Sequence, residues 1–456
     1  MKQFLFFLAS ILTLSSSAQN KDSLVISKFS YDILNNGKAY ENLRYLCKEV
    51  GHRISGSPQA QQAVEASARM LREAGADTVY LQPVIVPYWL RGDKEQGVIH
   101  FGNEKRKLNV VALGMSVATP PAGITADIIE VKNFDELKAL GAEKVKGKIV
   151  FFNYAMRPEL IQGGYGDAVK YRGSGPVEAA KLGAVGVMIR SVTHALDDNP
   201  HTGSTRYDSA VTKIPAMACS TKDAEWLSAL LKKEKKVQMF MKMNCKHMPD
   251  VMSYNVIGEL RGTEKPGEII TVGGHLDSWD IGEGAHDDGS GCMQSIEVIR
   301  AIRAAGIKPK RTIRAVMFMN EENGLRGGNA YADSAIAKKE NHIFAIESDA
   351  GGFGVQTLGI SGTPEQEQYL RQWTPLFRPY GVYEMPGGGG GADIGPLRKL
   401  GTVLSGVNPG TQRYFDLHHA PNDVFEAVNK RELELGALAM TAITYLVSEY
   451  GLPAKK

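Results

Sequence analysis

The run EIITVGGHLDSWDIGEGAHDDGSG spans residues 268–291 and decides the fold class. Its first eight residues are rich in β-branched side chains, which predicts a buried strand that ends at His275. The segment that follows, GSGCMQSIEVIRAIRAAG, has the apolar spacing of an amphipathic helix and is closed by Gly306. A strand that leads into a helix is the repeating unit of a sheet covered by helices, so we predict an α/β protein.

The rest of the second half repeats this alternation. Strands are predicted for SYNVIGELRG, TIRAVMFMN and HIFAIESD, and a terminal helix for RELELGALAMTAITYLVSEYG. We therefore predict a three-layer α/β/α sandwich around a mixed, mostly parallel sheet. In such sheets functional groups gather at the carboxyl ends of the strands.

The sequence of the first half of the chain indicates that the protein is divided into several segments. Helical spacing of apolar residues indicates helices within residues 38–75, and the turn-rich ATPPAG at 118–123 marks a change of composition. Beyond it, short strand and helix patterns alternate as in a compact inserted module. The predicted segments are a signal peptide at 1–18, a first catalytic part at 19–118, an inserted domain at 119–244 and a second catalytic part at 245–456.

Composition excludes several classes of function. The 456 residues are 43% hydrophobic and 23% charged with a net charge of +3, so nothing favours nucleic acid as a partner. Lys2, a short apolar run and small residues before Gln19 are typical of a cleavable signal peptide. No other segment is apolar enough for membrane insertion, so we expect a secreted or periplasmic protein. Its four cysteines lack CxxC spacing and are interpreted as isolated buried groups.

Acidic residues and histidines follow the predicted strands in four separated patches. The first patch holds His275, Asp277 and Asp287, beside Asp288. An aspartate near a metal-bound histidine can orient its ring. Each patch alone has an ordinary explanation; Asp288, for example, suits the N-cap of the following helix.

The other three patches supply the remaining candidates. They contain Glu321 and Glu322 after AVMFMN, Asp349 at the end of HIFAIESD, and His419 in HHAPND before the last helix. Two histidines, two terminal carboxylates and one shared aspartate would give two zinc ions nitrogen and oxygen ligands. A further glutamate can then take a proton from the water that the metals activate.

With these residues in view, the chain resembles the co-catalytic zinc aminopeptidases and dipeptidases of clan MH, and is most similar to their carboxypeptidase Q branch. Three motifs carry the likeness: HLDSWDIGEGAHDDGSG at 275–291, HTG…YD…VTKIPA at 201–216, and GGGGGADIGPL at 387–397. The likeness covers nearly all of the mature chain. Its inserted domain is similar to a protease-associated (PA) domain, which is usually a non-catalytic insertion.

The resemblance implies a zinc-exopeptidase sandwich and a role for each candidate. By this resemblance, the ligands of two zinc ions are His275, Asp287, Glu322, Asp349 and His419, and Asp287 bridges the two ions. The resemblance carries over Glu321 as the general base and Asp277 as the partner of His275. It further implies substrate or oxyanion contacts by His418 and Asp393, and closure of the HxxxD motif by Asp423. His286 departs from the small or apolar residue usual at its position. It is either a third histidine near the metals or a loop group, and we favour the loop group.

The implied activity is hydrolysis of dipeptides or short peptides by a metal-bridging hydroxide, in an enzyme that forms a homodimer. A secreted aminopeptidase of broader specificity is the close alternative. A transferrin-receptor-like binding ectodomain belongs to another class and has lost metal ligands, whereas every ligand position is filled here. Cyclisation of N-terminal glutamine on a related scaffold normally uses a single metal and does not account for the insertion.

Overall fold

The computed structural model describes residues 21–160 and 164–454. Its strands are numbered along the chain as β1 (Thr78–Leu90), β2 (Gln96–Phe101), β3 (Glu104–Lys107), β4 (Val110–Ala112), β5 (Ile124–Val131), β6 (Ile149–Phe152), β7 (Gly186–Arg190), β8 (Ala216–Cys219), β9 (Val237–Lys242), β10 (Lys246–Leu260), β11 (Lys265–His275), β12 (Arg311–Phe318), β13 (Asn341–Glu347), β14 (Val355–Ser361) and β15 (Val403–Pro409).

The helices are numbered in the same way. They are α1 (21–36), α2 (Ala39–Tyr45), α3 (Pro58–Glu73), α4 (Phe134–Val145), α5 (Gly164–Lys181), α6 (Thr221–Lys233), α7 (Ser290–Ala304), α8 (Arg326–Ala337), α9 (Pro364–Arg371), α10 (Thr374–Phe377), α11 (Thr411–Phe415) and α12 (Lys430–Tyr450). Short π or 3-10 turns occupy Leu46–Val50, Ala285–Gly289, Arg378–Tyr380, Gly395–Leu400 and Phe425–Ala427.

The larger sheet has seven strands in the order β1-β10-β12-β11-β13-β15-β14. Its four central strands pair in parallel, and the strands on either side pair antiparallel. Every residue of β12 is buried, as expected for a central strand covered on both faces. The predicted mixed sheet is confirmed, with its parallel part confined to the centre.

Helices cover both faces of this sheet. On one face α7 and α12 pack against each other and against the sheet, and α2 and α3 extend the same layer over the main apolar core. On the other face α8 and the turn at Gly395–Leu400 cover a smaller apolar cluster that includes Phe318 and Tyr331. The predicted three-layer α/β/α sandwich is therefore confirmed.

A second sheet has eight strands in the order β3-β2-β9-β5-β6-β7-β8-β4. In the chain it follows β1 and precedes β10, which pair as a long antiparallel ribbon. We call Gln96–Lys242 the inserted unit. It begins well before the predicted boundary at residue 119, because β2 pairs with β9 and β4 pairs with β8, while β3 pairs with β2. The ATPPAG segment is a turn inside it, where Gly123 N donates to Pro120 O at 2.8 Å.

Three expectations concern the chain ends and the cysteines. The predicted signal peptide at 1–18 lies outside the described residues. Among the helices that the structure describes, none is long and apolar enough to cross a membrane. Cys47, Cys219, Cys245 and Cys292 are all buried and free, as their spacing indicated.

Candidate metal centre

Two histidines and three carboxylates meet at the carboxyl end of the larger sheet. His275 ends β11, and its Nε2 atom lies 3.2 Å from Asp287 Oδ1 and 3.4 Å from Asp349 Oδ1. Because β11 and β13 are parallel neighbours, their carboxyl ends bring His275 and Asp349 together. The potential ligand atoms of these three residues all lie within 4.8 Å of one another.

A second group forms around His419. Its Nε2 atom lies 3.0 Å from Glu322 Oε2 and 3.3 Å from Asp287 Oδ2. His418 Nε2 lies 3.8 Å from the same Asp287 oxygen. Asp287 thus faces His275 with one carboxylate oxygen, and His419 and the more distant His418 with the other. The structure brings all five predicted ligands into one site.

Burial and unpaired oxygens make this site suitable for cations. Asp287 Oδ2 and Glu322 Oε1 are buried and accept no hydrogen bond within the described part of the chain. Burial and the Asp287 charge raise the pKa of Glu322 well above its usual range. Burial lowers the pKa of His275, but its hydrogen bonds with Asp287 and Asp349 outweigh this and raise it overall. A divalent cation would neutralise these carboxylates, and zinc accepts such nitrogen and oxygen donors.

The Asp277 carboxylate supports the loop after β12. It accepts main-chain N–H groups from Asn320 at 2.7 Å, Glu321 at 3.0 Å and Glu322 at 3.3 Å. The Nδ1 atom of His275 lies 2.9 Å from the carbonyl oxygen of Asp277 and 4.0 Å from its carboxylate. The sequence predicted the carboxylate as the partner of the ring. The main-chain carbonyl takes that place, because the carboxylate is occupied by three N–H groups.

Two further aspartates hold the loop that carries Asp287. Asp423 accepts hydrogen bonds from the main-chain N–H groups of His286 at 2.8 Å and Asp287 at 3.1 Å. Asp288 accepts hydrogen bonds from Gly291 N and from His275 N, each at 3.0 Å. The N-cap of α7 is Gly289, so Asp288 is not the N-cap that the sequence suggested. Asp287 is therefore held through its main chain, which leaves its carboxylate free to face His275 and His419.

Glu321 lies beside this centre and lines a cleft of about 1090 Å³. It is partly exposed, whereas the adjacent Glu322 is buried. Burial, together with the charges of Asp349 and Asp277, raises the pKa of Glu321 to about 8. A carboxylate with a raised pKa is suited to accept and return a proton near neutral pH.

The two other histidines that the sequence singled out, His418 and His286, have different surroundings. His418 lines the cleft and stacks on His419 with ring centroids 3.5 Å apart. Burial lowers the pKa of His418 to about 3, so its ring is neutral. His286 stacks on Phe353 and accepts a hydrogen bond from Gly352 N at 3.1 Å. It belongs to neither candidate ligand group of the described residues, which agrees with a loop role.

Asp393 is fully buried and is not among the residues that line the cleft. Glu347 lies against the glycine run that precedes it, and accepts the N–H group of Ile394 at 2.9 Å. Burial and the Glu347 charge raise the pKa of Asp393 well above its usual range. Asp393 therefore lies behind the residues that line the cleft rather than among them, which does not match the predicted contact with substrate.

The inserted unit contributes residues that the sequence did not single out. Arg172 on α5 places Nη1 3.1 Å from His419 Nδ1. Thr202 N donates to His419 O at 2.9 Å, and Ser204 Oγ donates to Glu322 O at 2.9 Å. The HTG motif at 201–203 was a sequence signal for the contact of Thr202 with His419. Nothing in the sequence pattern of α5 distinguishes Arg172.

Comparison with known proteins leads to the same region. The sequence pattern of Peptidase family M28 matches residues 255–444, which include every candidate ligand. Carboxypeptidase Q of Xenopus laevis is 36% identical over 428 residues, which cover 93% of this chain and 89% of that protein. The Homo sapiens protein of the same name is 34% identical over 412 residues, covering 90% and 85%. The chain belongs to peptidase family M28.

Membership of family M28 makes the chain a metallopeptidase, and the interpretation as a binding ectodomain is set aside. A solved structure of the family, the peptidase M28 precursor of Shewanella amazonensis SB2B, matches with a TM-score of 0.91 at 33% identity, covering 96% of this chain and 100% of that one. A zinc aminopeptidase of Bacillus subtilis shares the fold, with a TM-score of 0.64 at 23% identity over 92% of this chain and 95% of that one.

Proposed function

We propose that this M28 peptidase is a two-zinc exopeptidase that hydrolyses dipeptides and short peptides. One observation carries the proposal: Asp287 lies 3.2 Å from His275 through one oxygen and 3.3 Å from His419 through the other. Each histidine also has its own carboxylate, Asp349 at 3.4 Å from His275 and Glu322 at 3.0 Å from His419. Two equivalent donor groups that share one bridge suit a pair of cations.

The proposed reaction divides the work among the residues of the cleft. Bound zinc lowers the pKa of a coordinated water and polarises the scissile carbonyl. Glu321 takes a proton from the attacking water and then donates it to the leaving amine. Asp277 holds the N–H group of Glu321 and so fixes the position of this base. The neutral ring of His418 donates a hydrogen bond to the oxyanion that develops.

The close alternative is an aminopeptidase of broader specificity. The two activities differ in how much chain they accept beyond the cleaved bond. The cleft of about 1090 Å³ is bounded on one side by α5 and by the loop that contains Ser204 and Tyr207. A wall at this position favours short substrates, so we place dipeptides first.

Metal analysis and a peptide panel test this proposal. We expect two zinc ions per chain, loss of activity with a chelator and recovery when zinc is restored. Dipeptides with free termini should be hydrolysed, and those with a blocked amino terminus should resist. Full activity with one zinc ion per chain would overturn the two-metal proposal. Undiminished hydrolysis of long peptides would favour the aminopeptidase.

We further propose that the chain is exported and forms a homodimer. The signal-like segment at 1–18 supports export. Ile85 and Met252 are paired across β1 and β10 and are 49% and 52% exposed, which supplies an apolar face for contact between two copies. Light scattering should give twice the mass of the mature chain, and Met252→Glu should lower it. A monomer mass for the unaltered protein would contradict the dimer.

A further inference from the structure

The loop at 201–204 of the inserted unit binds the main chain on both sides of the His419 α-carbon. His201 Nδ1 lies 2.7 Å from the carbonyl oxygen of His418. Because a carbonyl oxygen only accepts, Nδ1 carries a proton and donates this hydrogen bond. Thr202 N donates to the carbonyl oxygen of His419 at 2.9 Å. The inserted unit therefore holds both peptide groups that flank the α-carbon of this candidate ligand.

His419 has a backbone conformation that needs such support. Its φ of +61° lies in the left-handed region, which residues with a side chain seldom adopt. A residue stays in this region when its surroundings fix the main chain on either side. The hydrogen bonds from His201 and Thr202 act on those two peptide groups. Without them the main chain is free to relax, and this relaxation moves the Nε2 atom that faces Glu322 and Asp287.

The ring of His419 is confined from the same direction. The Trp279 ring meets it edge-on, with the ring centroids 5.9 Å apart. Trp279 belongs to an apolar cluster that is formed mostly by side chains of the inserted unit. It packs so closely against Gly114 that a Cβ atom there would overlap the indole. The position of the His419 ring thus depends on the core of the inserted unit as well as on the loop at 201–204.

Glu322, which faces His419, is held by the same loop. Ser204 Oγ donates to the carbonyl oxygen of Glu322 at 2.9 Å. The loop is itself fixed within the inserted unit, because Gly114 N donates to Gly203 O at 3.0 Å. Two of the five candidate ligands are therefore attached through their main chain to the inserted unit.

The two ligands on the other side, His275 and Asp349, are supported differently. His275 ends β11 and Asp349 follows β13, so both depend on the centre of the larger sheet. In the described part of the chain, no hydrogen bond or ion pair joins either residue to the inserted unit. The shared ligand Asp287 is held through its main chain by Asp423, which also lies outside that unit. The support that the inserted unit gives to the centre is thus one-sided.

We infer that the inserted unit positions His419 and Glu322 and so sets the affinity of one of the two proposed zinc sites, whereas the other site does not depend on it. The inference rests on the proposed two-zinc function, because it divides the ligands between two ions. Contacts that orient a metal ligand are typically worth about 10- to 100-fold in metal affinity. His201 and Ser204 are positioning residues, since they act through the main chain of the ligand loops. A displacement of the inserted unit would release one zinc ion and leave the other in place.

The test measures zinc affinity in two backgrounds that each leave one site. Asp349→Ala removes a ligand of the site at His275, and Glu322→Ala removes a ligand of the site at His419. In the Asp349→Ala protein, His201→Phe should lower the affinity for zinc by about 10- to 100-fold, because phenylalanine keeps a ring and loses the donor. In the Glu322→Ala protein, the same change should leave the affinity unaltered. Titration against a competing chelator gives both values.

A smaller change and a matched control accompany this comparison. Ser204→Ala deletes one hydroxyl at a half-buried position and should give the same one-sided result. Ser228 is a buried serine of the same unit, and its Oγ donates to Glu130 at 2.9 Å rather than to a loop of the metal centre. Ser228→Ala should therefore leave both affinities unaltered. Urea denaturation of the metal-free proteins shows whether each variant folds, and Ser204→Ala decides the outcome if His201→Phe does not.

The outcomes separate the inference from the proposed function. A loss of zinc affinity of the same size in both backgrounds, or in neither, would overturn the inference. If the unaltered protein binds two zinc ions and both affinities persist in His201→Phe and Ser204→Ala, the inference fails and the two-zinc function stands. If the unaltered protein binds a single zinc ion, the two-zinc function fails and the inference fails with it.

Discussion

The Asp423 carboxylate accepts a 3.1 Å hydrogen bond from the main-chain N–H of Asp287, a residue 136 positions earlier in the chain. Its other oxygen accepts the N–H of His286 at 2.8 Å. The loop before the last helix therefore holds the loop that follows β11. This contact holds the main chain from which the Asp287 carboxylate projects into the candidate metal centre.

Asp423→Asn should weaken zinc binding by about 10- to 100-fold, as for other residues that hold a metal ligand. An asparagine offers one acceptor oxygen, so its NH₂ group would oppose one of the two N–H groups. Titration against a competing chelator measures the affinity. Asn422→Ala, at the next position, is the control and should bind zinc normally. Unchanged affinity in Asp423→Asn would show that the loop is held by other contacts.

Asp277→Asn should weaken zinc binding to a similar extent and also lower kcat. The carboxylate accepts the N–H groups of Asn320, Glu321 and Glu322, so the loss of one acceptor disturbs both the base and a ligand. The same chelator titration, together with steady-state kinetics, provides the measurement. Normal affinity with normal kcat would mean that the loop after β12 does not depend on this carboxylate.

Glu321→Gln should retain zinc and lose about 10²- to 10⁴-fold in kcat, because an amide cannot accept the proton of the attacking water. Metal content and kcat for alanyl-alanine are measured on the same preparation. Glu365→Gln, an exposed position on α9, should leave both unchanged. Full turnover by Glu321→Gln would assign the base to another residue.

Gly203→Ala should lower the free energy of unfolding by more than about 1 kcal/mol, because alanine is strained at a φ of +124° and its methyl group meets Arg172 and His419. Urea denaturation measures the effect. Gly166→Ala on α5 is the matched control, since a Cβ atom there meets nothing within 4 Å. Its stability should be equal or greater. A neutral effect of Gly203→Ala would mean that the loop at 201–204 is free to move away.

Zinc binding should release protons. Burial lowers the pKa of His275, but hydrogen bonds with Asp287 and Asp349 raise it well above its usual value, so without a cation the ring holds a proton at pH 7. Zinc must displace that proton. The apparent affinity for zinc should therefore decrease as the pH is lowered, by about tenfold per pH unit for each proton displaced. Calorimetry in buffers with different heats of ionisation counts the protons, and a count of zero at pH 7 would contradict this.

The strands that carry the ligands were predicted from local pattern, whereas two other strands of the larger sheet were missed. The runs that end at His275 and Asp349 are rich in β-branched and aromatic residues, so their period and their ends are visible in the sequence. The strands β14 and β15 contain glycine or proline and were not predicted. The extent of the inserted unit was also misjudged, because β4 pairs with β8 across a long stretch of chain.

The sequence by itself determined which donors are available and at which strand ends they stand, because strand period and residue chemistry are local properties. Only the tertiary structure decided their partners. It gave the His275 ring the carbonyl oxygen of Asp277 rather than its carboxylate, and it brought Arg172 to His419 across 247 positions. Such contacts depend on how the inserted unit and the loops pack, and packing is a property of the whole chain.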